Sequence, residues 1–251
     1  MLGWWSGMMY GFASRRALIR DRRSVRRLIL FLSLLSFCAA PAVAQARPGW
    51  STELVVARLN EAAEHFRTLT AKLEYTKVTV VVNDRSTQQG YIYFRRNNRI
   101  LVDITHPEPK QILFHDNRAE IFYPKMNQIQ EYNLEKHRGL VEQFLLLGFA
   151  TSGNALRKAY LITVLGETKL DGRAVMQLEL TPKDERLRSQ IHKIHLWLDL
   201  ASWAPVQQKF FEVGGDYLTT RYTDIKVNVP IPSSKLRLSA PKGASRVKPQ
   251  T

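Results

Sequence analysis

The sequence predicts an α+β domain, built on one large antiparallel sheet of roughly ten strands that is wide enough to curl and is accompanied by two or three helices. Three observations predict it. Short runs with a period of two recur from residue 71 to residue 227, each closed by turn chemistry. Two longer stretches carry apolar residues at helical spacing instead. No repeat of 20 to 50 residues points to a solenoid or propeller.

The first helix starts at Ser51, an N-cap type, and places Val55, Leu59, Ala62, Phe66 and Leu69 on one face at spacings of four and three. The period then changes to two at Ala71, Leu73 and Tyr75, in a strand that continues through Val78 to Val82. A meander follows over residues 88–94, 99–105, 110–115, 120–123 and 128–132. Its turns fall at Asn83-Asp84, Asn97-Asn98, Pro107 to Pro109, Asp116-Asn117 and Pro124 to Asn127. In the third strand Ile100, Val102 and Ile104 share a face, and Leu101 breaks the alternation. One sheet face is expected to be buried and the other at least partly wet.

A second helical stretch, Glu135 to Phe149, is apolar on more than one side, which exceeds what a helix resting on a sheet requires. A short helix near Asn154 to Lys158 comes next. Strands resume over 160–165, 174–181, 191–199, 205–212 and 217–227, with Asp171-Gly172 and Gly214-Gly215 as tight turns.

The composition divides unevenly along the 251 residues, which are 45% hydrophobic and carry a net charge of +15. Seven arginines against one aspartate leave +6 in residues 1–44 and +9 in the rest. Arg15 to Arg27 is a basic run, Leu28 to Ala40 an apolar one, and Ala42-Val43-Ala44 a cleavage signature, which together predict a secretory signal peptide over 1–44 and a mature domain over 45–251. The apolar run is too short to span a membrane, which takes about 20 residues. The n-region allows either a twin-arginine signal or an unusually basic one with a start at Met8 or Met9. The lone Cys38 falls in the same segment and has Phe37 before it, a poor setting for lipidation. A disulfide framework and a cysteine-ligated metal are thereby excluded from the body of the chain.

Catalytic patterns are missing. There is no G-x-S-x-G, P-loop, G-x-G-x-x-G or H-E-x-x-H. His192 and His195 point to opposite faces of a strand and make poor joint ligands, so neither a metal nor a cofactor is expected. The residues describe a binding protein rather than an enzyme. The basic tail from Lys235 to Thr251 lacks any nucleic-acid motif beside it, and it can serve either as a solubilising surface or as a dock for anionic lipid headgroups or an acidic partner protein.

Several segments, in order, resemble the outer-membrane lipoprotein carrier family (LolA type). They are the leading helix and strand, Tyr93 to Ile104 (YFRRNNRILVDI), Ile121 to Gln128 (IFYPKMNQ), Leu178 to Lys183, Trp197 to Asp199 with Pro205, the Gly214-Gly215 turn and Ala240 to Gly243. The match spans about residues 51 to 245. The resemblance implies an unclosed antiparallel half-barrel whose concave side, capped by helices, encloses a cavity for lipoprotein acyl chains. By that resemblance the sheet side of the cavity is lined by Leu73, Tyr75, Ile92, Phe94, Ile100, Val102, Ile104, Ile112, Phe114 and Ile121, and the lid by Val55, Leu59, Phe66, Leu140, Phe144 and Leu147.

Arg96 matches the family arginine that reaches into the cavity and latches the lid, and Ile92 and Phe94 lie on its face by alternation. A strand-end arginine in solvent is the other reading. Asn97 stands where the family has proline, and Ile100 and Val102 replace an aromatic pair, which changes the cavity's shape. The implied function is a soluble, monomeric periplasmic carrier that moves lipoproteins from an inner-membrane release complex to an outer-membrane acceptor. The alternatives are a periplasmic sensor on the same fold, which usually carries a second C-terminal domain, or a carrier of another lipid.

Overall fold

The computed structural model describes residues 49–96, 99–134, 147–149 and 151–248, all within the unit Ala46–Thr251. The predicted signal peptide, most of the predicted helix Glu135 to Phe149 and the Asn97-Asn98 turn lie outside the described residues. The strands are β1 (Thr68–Thr79), β2 (Asp84–Arg95), β3 (Arg99–His106), β4 (Lys110–His115), β5 (Arg118–Tyr123), β6 (Gln128–Asn133), β7 (Tyr160–Leu170), β8 (Arg173–Pro182), β9 (Ile191–Asp199), β10 (Pro205–Glu212), β11 (Tyr217–Val227) and β12 (Ser245–Val247). The helices are α1 (Thr52–His65), α2 (Gly153–Ala159) and α3 (Glu185–Arg188).

All twelve strands form one sheet in the order β12-β6-β5-β4-β3-β2-β1-β11-β10-β9-β8-β7, with β12 and β7 as its two edges. Every pairing is antiparallel except that of β12 with β6. The result is an unclosed half-barrel of the α+β class. Its two meanders, β1 to β6 and β7 to β11, meet where β1 pairs with β11.

Helix α1 begins where the sequence predicts, with the Ser51 hydroxyl accepting from Leu54 N at 3.2 Å. It ends earlier than the apolar spacing predicts. Phe66 is already extended, and Leu69 is a fully buried residue of β1 rather than part of the helix face. Long-range pairing overrides the periodicity there: Asn228 Oδ1 accepts from Arg67 N at 2.8 Å while its Nδ2 donates to His65 O at 2.9 Å. The side chain of Asn228 thus terminates α1 and fastens it to the end of β11.

Three further differences have physical causes. The valine run predicted as strand to Val82 turns at Val80, because Asn83 adopts φ +49 and donates its N–H to Val80 O at 3.1 Å. Leu147 to Phe149 form a turn rather than a helix end, with Gly148 at φ +80. Leu101 breaks the alternation because this part of the sheet is buried on both faces: Leu101, Leu113, Phe122 and Ile129 are all buried.

Residues 229 to 247, which include most of the predicted basic tail from Lys235 onward, run along the first meander. The 3-10 turn Ser233–Leu236 packs on β2 and β3, with Leu236 1% exposed. Arg95 Nη2 donates to Ile231 O at 2.5 Å, and the Gln111 amide oxygen accepts from Ser239 N at 2.7 Å. Arg246 donates from Nη1 to Glu120 Oε1 at 2.9 Å and also bonds Glu131, fixing β12 beside β6.

On β8 and β9, Lys193 Nζ lies 2.7 Å and His195 Nε2 2.9 Å from Glu179 Oε2. The Lys193 hydrogen bond, followed by that of His195, holds the Glu179 carboxyl below its ordinary value of 4.5.

Two predictions test these contacts. A Cβ at Gly90 would stand 2.0 Å from the Asp103 carbonyl oxygen across the β2–β3 bulge, so Gly90→Ala should lower unfolding free energy by about 3 kcal/mol in urea titration. Glu179→Gln should cost about 1 kcal/mol at neutral pH. Because the folded pKa is lowered, that contribution is complete above 4.5 and disappears as pH falls through the folded value. Equal stabilities of variant and wild type at pH 7 would refute it.

Candidate functional site

The concave face of β1 to β5 carries two uninterrupted apolar rows set by strand register. One runs Leu69, Phe94, Ile100, Phe114, Ala119, and the next runs Ala71, Ile92, Val102, Ile112, Ile121. Alternation makes each row continuous, because a residue and its cross-strand partner share a face. Leu73, Ile92, Phe94, Ile100, Val102 and Ile104 are buried in one cluster with Phe66, Phe149 and Tyr222, and Ile112 and Phe114 pack against it half-buried. Tyr75 and Ile121 are half-buried, and desolvation raises the Tyr75 hydroxyl above its ordinary value.

The predicted lid residues do not gather in the same place. Val55, Leu59 and Leu147 belong to a second cluster, built on β8, β9 and β10 around Met176, Leu178 and Leu196. Phe66 alone among the described lid residues joins the β1–β3 cluster. Leu140 and Phe144 lie outside the described residues. The short helix α2 crosses α1 closely at Gly153, where a Cβ would sit 2.2 Å from Val56 O, and Asn60 Oδ1 accepts from Asn154 N at 3.1 Å.

Among the described residues, Phe149 and Phe66 pack over the apolar rows. The rings of Phe66 and Phe94 are 5.3 Å apart, those of Phe66 and Phe149 6.4 Å, and Phe149 meets Tyr222 edge-on at 4.8 Å. A buried polar pair sets the position of this turn. Gln208, 1% exposed, donates from Nε2 to Leu147 O at 2.6 Å, and the Tyr222 hydroxyl donates to Gln208 Oε1 at 3.4 Å. Burial pushes the Tyr222 hydroxyl well above the usual tyrosine range, so it stays a donor. The sequence reading missed Gln208, although Val206 and Phe210 at two residues either side mark its face as inward.

Arg96 stands one residue beyond β2 at the rim, exposed, and not within the apolar face as alternation suggested. Its Nη1 donates to Glu64 O and Phe66 O, each at 3.2 Å. Arg67 Nη1 reaches the same two carbonyls at 2.6 and 3.1 Å. Two cations therefore sit on the carbonyl end of α1, where the helix dipole favours positive charge.

Next to this end, a cavity of about 170 Å³ lies between Leu59, Ala63, Phe66, Gly148 and Trp203. It is smaller than the roughly 300–1,000 Å³ of typical ligand sites. On the outer side a groove of about 470 Å³ is lined by polar residues including Lys72, Glu74, Gln89 and Arg221. Among the described residues no group of three His, Cys, Asp or Glu is arranged to hold a metal, and no helix is long and apolar enough to cross a membrane.

No protein-family model matches the sequence. A curated relative, an uncharacterized protein of Methanocaldococcus jannaschii, is 20% identical over 190 residues, covering 76% of this chain, which spans about half (52%) of that relative's length. Among solved structures, an uncharacterized conserved protein from Thermus thermophilus matches with a TM-score of 0.53 at 12% identity, over 80% of this chain and 100% of that one. Pseudomonas aeruginosa MucB, in a complex with MucA, aligns at 0.45 and 16% over 75% of this chain and 61% of that one. A LolA superfamily protein from Nitrosomonas europaea aligns at 0.37 and 15% over 73% and 97%. The fold that the sequence resemblance implied, an unclosed antiparallel half-barrel with helices, is the architecture of this chain.

Proposed function

We propose that this protein is a periplasmic lipid carrier that shields lipoprotein acyl chains against the concave face of its sheet and shuttles them from the inner to the outer membrane. The observation that carries the reading is the pair of unbroken apolar rows across β1 to β5, against which Phe66 and Phe149 are the aromatic side chains packed from outside the sheet among the described residues. Exposing an acyl chain to water costs about 0.8 kcal/mol per CH₂, so a chain of about 16 carbons costs on the order of 10 kcal/mol. A surface of Leu, Ile, Val and Phe removes most of that cost without any specific bond, which suits a carrier of varied cargo. The export signal over 1–44, the release complex at the inner membrane and the acceptor at the outer one belong to the same proposal.

Carriage requires loading and release to be near balance. In the closed form Phe66 and Phe149 occupy the apolar rows, so an entering chain displaces them and exchanges one apolar contact for another. The Arg96 bonds to Glu64 O and Phe66 O stabilise the closed form, and the Gln208 bond to Leu147 O does the same at the turn that carries Phe149. Both sets of bonds break on loading and re-form on release. Their re-formation drives cargo out.

The central test is isolation from the periplasm followed by mass spectrometry, with uptake of a fluorescent acyl probe measured in parallel. Co-purifying lipoprotein or lipid is expected; its absence together with no probe uptake would overturn the carrier. Arg96→Leu should load at least as readily as wild type and release about tenfold more slowly, the equivalent of about 1.4 kcal/mol of lost closed-state hydrogen bonding. Transfer at the wild-type rate would refute the latch. Gln208→Leu should lower the stability of the empty protein by about 2 kcal/mol, and that of the probe-loaded protein by clearly less, because loading has already broken the bond. Equal losses in both forms would assign Gln208 a purely structural role.

A further inference from the structure

Two hairpin tips lie side by side at the end of β1 and β11 remote from Arg96. Val78 is paired with Tyr217, so the β1–β2 tip (residues 80–83) and the β10–β11 tip (213–216) are neighbours, and Val80 N donates to Asp216 Oδ1 at 2.9 Å between them. Their apolar residues face solvent: Val80 is 52% exposed, Val81 85%, Val82 68% and Val213 61%. A folding argument does not account for them. Turn positions favour Gly, Asn and Asp, and an exposed valine buries nothing.

Behind the valines the chemistry changes in a fixed order. Phe211 and Tyr217, the last paired residues of β10 and β11, have ring centroids 6.5 Å apart. Lys209 Nζ lies over both rings, 4.8 Å from Phe211 and 3.8 Å from Tyr217, and Lys193 Nζ is 5.6 Å from Phe211. At roughly 3.4 Å per residue, Lys209 is set back about 14 Å from Val213. Lys77 and Arg85 flank the other hairpin. Of the carboxylates nearby, Glu212 lies 3.7 Å from Lys77, Asp216 accepts from Val80 N, Glu179 is engaged by Lys193 and His195, and Asp84 is exposed.

We infer that the paired tips dock on an anionic phospholipid bilayer, with the valines entering the interface, Phe211 and Tyr217 at its boundary, and Arg85 and Lys209, which among the described residues are not spent on a carboxylate as Lys77 and Lys193 are, at the headgroups. Apolar tip, aromatic collar and cations follow the order of depth in a membrane surface. A protein partner fits less well. Four valines on a protruding edge offer a few hundred Å², short of the roughly 800 Å² per side of a standard protein interface. The inference extends the carrier reading to the surfaces the protein visits, but it stands on the tips alone and does not need a lipid cavity.

The experiment is flotation of the purified protein with vesicles of phosphatidylglycerol and phosphatidylethanolamine, and with vesicles of phosphatidylcholine alone. Wild type and variants share the same N-terminus, so differences report the tips. Wild type should float with the anionic vesicles and less in high salt, and the double variant Val81→Asp, Val213→Asp should float at least about fivefold less. Unchanged thermal unfolding and acyl-probe uptake by the double variant would confirm that fold and cargo site are intact. Equal flotation of wild type and variant, or no flotation of either, overturns the inference. So does a lipid-free dimer of the wild type in sedimentation that the double variant abolishes, since the tips would then serve a second copy of the chain.

Discussion

The pairing of β1 with β11 is the constraint on which the rest of the molecule depends. Without it the chain is two separate antiparallel meanders, one for each half of the sequence, and neither alone forms the curved sheet. With it, Asn228 arrives under the last turn of α1 and stops the helix. Tyr222 and Gln208 arrive beside Phe149 and Leu147, and the two hairpin tips are brought together. The contact is long-range in sequence, so its loop-closure cost is met only when the second meander is in place. The helix end, the aromatic cover and the apolar rows are therefore expected to order together.

Most of the sheet was legible in the sequence because alternation is a local signal and the strands are antiparallel neighbours. The strands from β1 to β11 stand where period-two runs and turn residues put them, with ends shifted by a few residues. The misreadings share a cause, which is that local preference was taken where a partner decides. Leu69 keeps the helical spacing but is claimed by β2 and β11, and the β-branched run at Val80 yields to the left-handed backbone of Asn83. β12 was not legible at all, because three residues, Ser-Arg-Val, carry no period; their placement comes from Arg246 and the edge of β6.

The apolar face of the sheet was legible, and the packing of the helix residues expected to cover it was not. The residues named for the sheet side lie on the predicted face, since register alone fixes which side chains align across β1 to β5. The lid residues were assigned from amphipathicity, which says that a helix buries a face but not against what. Val55 and Leu59 bury theirs against β8 to β10. The buried Gln208 is the reverse case. A polar residue at an inward strand position signals a satisfied partner, and here that partner is a backbone carbonyl of a turn the sequence had placed in a helix.

The parallel addition of β12 to β6 has a consequence for how the protein behaves before it is complete. The β6 edge offers a row of unpaired backbone groups able to recruit a strand from another chain, and Ser245–Val247, held by Arg246, is what occupies it. Those three residues are synthesised after β1 to β11. Until they emerge, a nascent chain carries an open template at that edge, which its own later segment then covers.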